Sequence, residues 1–427
     1  MRSATSKHLH PVLGRRLIDW TLASLRSVEP ARIVVVVSPE LEDAVDGVEV
    51  AVQREPRGSG DAAATARDAL AGFSGAILVV ADTPLMTESV LTGLFEAHRR
   101  EEAAATILTF RPEVPLPYGR VVRGDTGAVD RIVEDKDAAP EELGIMELNS
   151  SIYVFDAAAL WPALERLDSD NAQGELYLTD AIRHIREAGG AISAFESPDP
   201  WAPVGVNDRS ELAAIAAVLR DRINEAHMLA GATIVDPTST WIDAGVELAP
   251  DSTIHPFTVL RGRTRVAEGA EVGPHAVAID AEIGARVLVG PFCYLRPGTV
   301  LEAGAKAGTF VEIKNSRVGE GTKVPHLSYI GDADIGAGTN VGAGNITANF
   351  PHKPGQPKGR TTIGRNVRTG VQNAFVAPLE VGDGAWIAAG SVITKDVPSG
   401  ALAVARARQE NKEGYADRGA GAADGDD

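Results

Sequence analysis

Through the second half of the chain an aliphatic residue returns every six positions. Val266 and Val272 keep the beat, as do Ile283, Val289 and Leu295, then Val318, Val324 and Ile330, Ile335 and Val341, and finally Val381, Ile387 and Ile393. The next residue is usually small or turn-forming, and so is the position four after the aliphatic, as in VGEGTK, VPHLSY, IGAGTN, VGDGAW and IAAGSV. Six is neither the helical 3.6 nor the strand period of two, and it marks a β-solenoid. Each hexapeptide is one short strand plus a turn, three make one coil of a triangular prism, and the aliphatic points inward. Coils bury apolar surface only against neighbouring coils, so the array stands as a unit. An ordinary β-sandwich would need alternating apolar residues, which these segments lack.

The first half has a different grammar. IVVVV (33–37), AILVV closing on Ala81, and ATILTF (105–110) are short continuous apolar runs, expected as buried parallel strands. Between them lie the amphipathic stretches DAAATARDALAGF (61–73) and ESVLTGLFEAHRREE (88–102). The alternation predicts a doubly wound α/β sheet with helices on both faces and ligands at the carboxyl ends of strands. VVADTPL (79–85) sets Asp82 just past such a strand. RSELAAIAAVLRDRINEAHMLAG (209–231) reads as a connecting helix. The expected organisation is an α/β domain over 1–207, a linker helix over 208–231, a β-helix over 232–408 and a tail over 409–427. The acidic, Gly- and Ala-rich end of that tail is expected to be disordered.

Composition excludes several partners. A net charge of −18 argues against nucleic acid and against insertion at an anionic membrane surface. A single cysteine, Cys293, excludes an intramolecular disulfide and a cysteine-built zinc site. No apolar run is long enough to span a bilayer, and the first twenty residues lack a signal-peptide core. The expectation is a soluble, cytoplasmic protein.

Charged residues interrupt the solenoid where its fold needs none. FVEIKNS (310–316) carries Glu312 and Lys314, YLRPG (294–298) places Arg296 at a turn, and TANFPHKPGQPKGRTTIG (347–364) is a basic, Pro-rich loop. Single surface charges are usually only solvated, and a lone histidine such as His326 is usually packed or solvated. Their clustering points toward a phosphorylated ligand.

YLRPG, FVEIKNS, VPHLSYIGDADIG, NVGAGNITANF and ALAVARARQENKEGY together closely resemble the bifunctional N-acetylglucosamine-1-phosphate uridyltransferase/glucosamine-1-phosphate acetyltransferase family. The resemblance runs from residue 1 to about 415. It implies a truncated α/β nucleotidyltransferase domain followed by a left-handed parallel β-helix that assembles as a homotrimer and serves cell-wall precursor synthesis. It further implies that His326 removes a proton from the amine as it attacks acetyl-CoA. By the same resemblance Arg296 and Lys314 hold the sugar phosphate, Tyr329, Asn340 and Lys358 line the sugar, and Asn349 orients the histidine or supports the oxyanion. Ala343, Val371, Ala389 and Arg406 fall where the family contacts CoA. Val371 stands where a serine is usual, Phe350 replaces a common tyrosine, and the loop between Asn349 and Lys358 is a few residues longer than usual.

For uridyl transfer the resemblance implies Mg²⁺ on Asp82 and Asn207. It implies uracil recognition by Gln53, Gly58 and Ser59 in QREPRGSGDA, an amino-sugar site at Gly119, Glu134 and Asn149, and a phosphate contact from Lys7. Ser59 replaces a threonine and Asp61 the usual histidine. The family opens with a hydrophobic strand and a loop of the form LAAGxGTRM, whereas this chain starts MRSATSK, its Met1 matching the end of that motif. A sheet missing its central strand would show two open edges, and uridyl transfer is expected to be weak. Three alternatives stand beside this reading: an acetyltransferase with a dead nucleotidyltransferase domain, another sugar nucleotidyltransferase whose β-helix only oligomerises it, and a non-catalytic trimeric scaffold.

Overall fold

The computed structural model describes residues 1–113, 116–351 and 353–416, so the end of the tail lies outside the described residues. The chain divides into two units, Met1–Leu219 and Arg220–Asp427. Among the described residues no helix is long and apolar enough to cross a membrane.

In the first unit a six-stranded sheet is built around Leu148–Asp156, which pairs antiparallel with Ala76–Val79 on one side and with Ala105–Phe110 on the other. Ala105–Phe110 then pairs in parallel with Ile192–Glu196. The expectation of a simple parallel sheet is therefore corrected to a mixed one. A continuous apolar run carries no sign of strand direction, and of the three expected buried strands only Ala105–Phe110 is buried throughout, Val34–Val37 and Ala76–Val79 being largely half-buried. The antiparallel hairpin Arg120–Arg123 with Val129–Val133 returns the chain, by short connections, into an opposed strand. Alternate residues of the central strands then face two apolar clusters. Ile107, Tyr153 and Phe155 pack with α4 (Ala157–Leu164) and α5 (Leu178–Glu187), while Leu108, Ile152 and Val154 pack with α3 (Glu88–Arg100). Helices thus cover both faces, as the alternation predicts.

Val34–Val37 and Glu49–Val52 form a separate parallel pair beside α1 (Leu17–Ser27), and only Val37 of the first run is fully buried. Among the described residues neither Val34–Val37 nor Ala76–Val79 has a second strand partner. A cavity of about 1430 Å³ opens between them. The expected helix over 61–73 is shorter: α2 spans Ser59–Thr65, after which the backbone bonds tighten to three-residue steps such as Ala66 N to Ala63 O at 3.2 Å. The helix α6 covers Arg209–Leu229, and the division between the two units falls within it.

The second unit is a parallel β-helix, of the left-handed type. Its strands stack into three sheets of six, nine and eight strands, and a further three-stranded sheet (Arg368–Thr369, Trp386–Ile387, Leu402–Ala403) continues the first. Each strand meets its partner one coil later, so that Glu271 lies over Leu288, Leu288 over Lys306 and Lys306 over Lys323. Every aliphatic of the six-residue beat is buried in one continuous core, from Val266 to Ile393. Each such side chain contributes about 1.5–3 kcal/mol by leaving water. Cys293 belongs to this core, and burial pushes its thiol up to about 12. One outer edge carries a ladder of exposed rings, Phe257, His275, Phe292 and Phe310, stacked at centroid spacings of 4.7, 4.9 and 5.3 Å. Leu327 takes the next corner position, and all five have left-handed backbone φ between 50° and 58°.

Candidate functional site

His326 is the last residue of the strand Lys323–His326, immediately before the Leu327 corner, and it is exposed. The coils above it stack by backbone hydrogen bonds: Gly344 N donates to His326 O at 3.3 Å, Gln372 N to Ala343 O at 2.8 Å, and Gly390 N to Val371 O at 2.9 Å. Residues 326, 343, 371 and 389 therefore form one column along a prism edge. Arg406 continues toward it, its Cδ 3.8 Å from where a β-carbon on Gly390 would lie. With adjacent strands about 4.8 Å apart, the column from His326 to Ala389 is about 14 Å long.

The cations gather at the opposite corner of the adjoining face. Arg296 donates to Glu312 at 2.8 Å, with its guanidinium 6.0 Å from the Tyr294 ring. On the next coil Glu312 pairs with Tyr329 and Lys314 with Gly331, so Tyr329 sits between the cation corner and the His326 corner. Lys314 lies beside Lys358 and, through hydrogen bonding and charge repulsion, lowers the Lys358 ammonium below its ordinary value. Lys358 Nζ also stands 5.8 Å over the Phe350 ring. Asn349 donates its side-chain amide to Asp332, and Asn315 does so at 2.6 Å. Asn340 lies on a different face, bridged to Lys323 and Arg368.

Asp332 is the residue that sequence reading passed over. Burial pushes its carboxyl up, yet hydrogen bonds from Asn315 and Asn349, with the Lys314 and Lys358 ammoniums nearby, hold it below the usual carboxylate range. The available signal was an Asp directly after Gly331 at a corner, where φ is 49°.

In the first unit the cavity brings together Lys7, Gln53, Ser59, Asp82 and Glu134. Lys7 Nζ is 2.8 Å from Asp82 Oδ2 and also donates to Val206 O at 3.3 Å. The 205–207 segment runs beside Asp82, since a β-carbon on Gly205 would fall 3.9 Å from Asp82 Oδ1. Asn207 is exposed there, its backbone N–H donating to Glu211 at 2.5 Å. Hard oxygen donors and few protein ligands fit Mg²⁺, which keeps much of its water. Glu134 accepts from Thr179 Oγ1 at 3.1 Å, and burial raises its carboxyl above the ordinary value, helped by Asp137, Asp180 and Asp135. Asn149 is buried, bonded to the Tyr153 hydroxyl at 2.8 Å, and its backbone N–H donates to Gly119 O at 2.8 Å. Ser59 Oγ accepts from Leu178 N at 3.1 Å. Gly58 has φ of +116°, and a β-carbon there would lie 2.6 Å from Leu176 O, so this position requires glycine.

A family model described as the MobA-like NTP transferase domain matches residues 1–231. The chain is 46% identical to the bifunctional protein GlmU of Streptomyces avermitilis, over 98% of this chain and 92% of that one. It is 48% identical to the protein of the same name from Kineococcus radiotolerans, over 97% and 89%, and 45% identical to that from Mycolicibacterium vanbaalenii, over 98% and 90%.

Proposed function

The chain belongs to the bifunctional GlmU family, and from that premise we propose how its residues divide two reactions between them. The protein is a glucosamine-1-phosphate N-acetyltransferase and an N-acetylglucosamine-1-phosphate uridyltransferase, supplying UDP-N-acetylglucosamine for cell-wall synthesis; the NTP transferase match over residues 1–231 favours this over the expectation of weak uridyl transfer and over a dead nucleotidyltransferase domain.

In the acetyl site His326 is the general base. An amine attacking a thioester must lose a proton, and an exposed imidazole at a prism corner can take it. The observation that carries this assignment is the arrangement of one solenoid face, with the cation corner at one side, Tyr329 in the middle and His326 at the other. Arg296, Lys314 and Lys358 bind the sugar phosphate. A dianion between Lys314 and Lys358 relieves the repulsion that lowers Lys358 in its absence. Asn349 is held by Asp332 and Tyr329 lines the sugar, while Asn340, on a different face, stands outside this group. Acetyl-CoA, the co-substrate, lies along the column of Ala343, Val371 and Ala389 and ends near Arg406.

In the uridyl site no protein nucleophile is required, only in-line positioning and charge neutralisation. Asp82 and Asn207 would hold Mg²⁺, which would neutralise triphosphate charge. Lys7 holds a phosphate oxygen, Gln53, Gly58 and Ser59 read the uracil, and Gly119, Glu134 and Asn149 hold the amino sugar. A homotrimer is part of the same reading. The exposed ladder from Phe257 to Leu327 ends next to His326, and a second copy laid against it would cover apolar surface beside the acetyl site. The cellular location that fits these substrates is the cytoplasm.

The test is one mass-spectrometric assay with glucosamine-1-phosphate, acetyl-CoA, UTP and Mg²⁺, run on the wild type, His326→Ala and Asp82→Asn. Loss of general-base catalysis lowers acetyl transfer by about 10²–10⁴-fold, so His326→Ala should form product from glucosamine-1-phosphate more slowly by that factor while still converting added N-acetylglucosamine-1-phosphate. Asp82→Asn should accumulate N-acetylglucosamine-1-phosphate. Acetylation by His326→Ala at the wild-type rate would refute the assignment of the base.

A further inference from the structure

The loop that carries Gln53 is closed by a residue with no role in either reaction above. Asp61, in the first turn of α2, is 8% exposed, and both of its carboxylate oxygens are occupied. Oδ2 accepts from Gln53 Nε2 at 2.7 Å and Oδ1 from Arg57 Nη2 at 2.6 Å. The second hydrogen on Gln53 Nε2 points toward Gly58 O at 3.4 Å. A carboxylate bonded in this way offers only acceptors. Facing it, the Gln53 amide has one acceptable orientation, with NH₂ toward Asp61 and Oε1 away. Turning the amide over would set two oxygens against each other. Burial alone would push the Asp61 carboxyl up, yet the bonds from Gln53 and Arg57 hold it below the ordinary carboxylate range, so it stays a pure acceptor at neutral pH.

We infer that Asp61 is a positioning residue that sets the base preference of the uridyl site, by locking Gln53 so that its amide presents an acceptor oxygen to the nucleobase. The inference rests on the reading that Gln53 recognises the base. Uracil carries a hydrogen on ring N3 and matches an acceptor. Cytosine carries a lone pair at the same atom and meets the locked oxygen with repulsion. The lock therefore selects pyrimidine nucleotides with an N3 hydrogen. An asparagine at position 61 fills the same space but can also donate, which lets the Gln53 amide turn and offer its NH₂ instead.

The experiment measures kcat/KM with UTP and with CTP for the wild type, Asp61→Asn and Arg57→Ala, with acetyl transfer and thermal unfolding of the same preparations as controls on folding. In Asp61→Asn the UTP-to-CTP ratio should fall by about tenfold or more, mostly through KM, because the mispaired amide no longer opposes cytosine. In Arg57→Ala, which loosens the loop but leaves the carboxylate facing Gln53, the ratio should stay within about twofold. An unchanged ratio in Asp61→Asn, or an equal fall in Arg57→Ala, overturns the inference while leaving the uridyl reading intact. A wild type that turns over neither nucleotide yet acetylates normally overturns that reading and the inference with it.

Discussion

His326, Ala343, Val371 and Ala389 come into line because each coil of the second unit stacks on the one before it. Lys7, Gln53, Asp82 and Glu134 share a cavity in the first unit although they stand at the ends of unrelated loops. In the solenoid a residue's place in space follows from its place in the repeat. In the α/β unit it follows from which strands happen to be neighbours. A site built on a periodic scaffold inherits its geometry from backbone bonding, whereas a site built on loops has to be tied together by side chains, such as Lys7 to Asp82, Thr179 to Glu134 and Asp61 to Gln53.

The comparison breaks first at the core. Ile330 is 1% exposed in the solenoid's continuous apolar column. Ile330→Ala should cost about 2–5 kcal/mol, confined to the solenoid's unfolding transition. Calorimetry that found both units destabilised equally would show that they do not fold independently. A smaller effect is expected at the cation corner. Removing a charged hydrogen-bond partner of a phosphate costs about 1.5–3 kcal/mol, so Lys358→Ala should raise KM for glucosamine-1-phosphate at least about tenfold and leave KM for UTP unchanged. Steady-state kinetics of both reactions on one preparation checks this.

The smallest effect concerns pH, and its sign differs between the units. Glu134 is raised above its ordinary 4.5, mainly by burial, so its folded form favours the proton. Its contribution is present below about 4.5 and is lost as pH rises through the folded value. Asp332 is lowered from 3.8, the bonds from Asn315 and Asn349 and the two lysines outweighing burial. Its contribution is present above about 3.8 and is lost as pH falls through the folded value. Glu134→Gln should flatten the stability profile of the first unit above 4.5, and Asp332→Asn that of the second below 3.8. Denaturant midpoints measured across both windows decide it, and parallel profiles in the two variants would remove the distinction.

Much of the solenoid was legible because its constraint is local and repeated: every aliphatic of the beat, from Val266 to Ile393, is buried. The helices α3 and α6 were legible for the same reason, each being a long periodic stretch. The antiparallel pairing of Ala76–Val79 and Ala105–Phe110 with Leu148–Asp156 was not, because an apolar run carries no sign of its direction and the polar start of Leu148–Asp156 did not mark it as a strand. Asp332 was missed because its importance lies in two asparagines and two lysines brought close by coil stacking, not by spacing in the chain. Asp61 was visible only as a departure from a family pattern, and its contacts with Gln53 and Arg57 became apparent with the fold of the loop.

One coil of the prism is longer than its neighbours. Lys323 lies under Asn340, 17 residues on, but Asn340 lies under Arg368, 28 residues on. The register above and below is undisturbed, since the additional chain leaves at a corner and rejoins at the matching position. The scaffold thus behaves as a measuring rod to which a variable attachment has been clipped. The lysine-bearing loop can lengthen, shorten or change its charge while the distance between the histidine and the coils above it stays fixed by strand spacing. Within such an architecture, substrate preference and catalytic alignment are free to change independently.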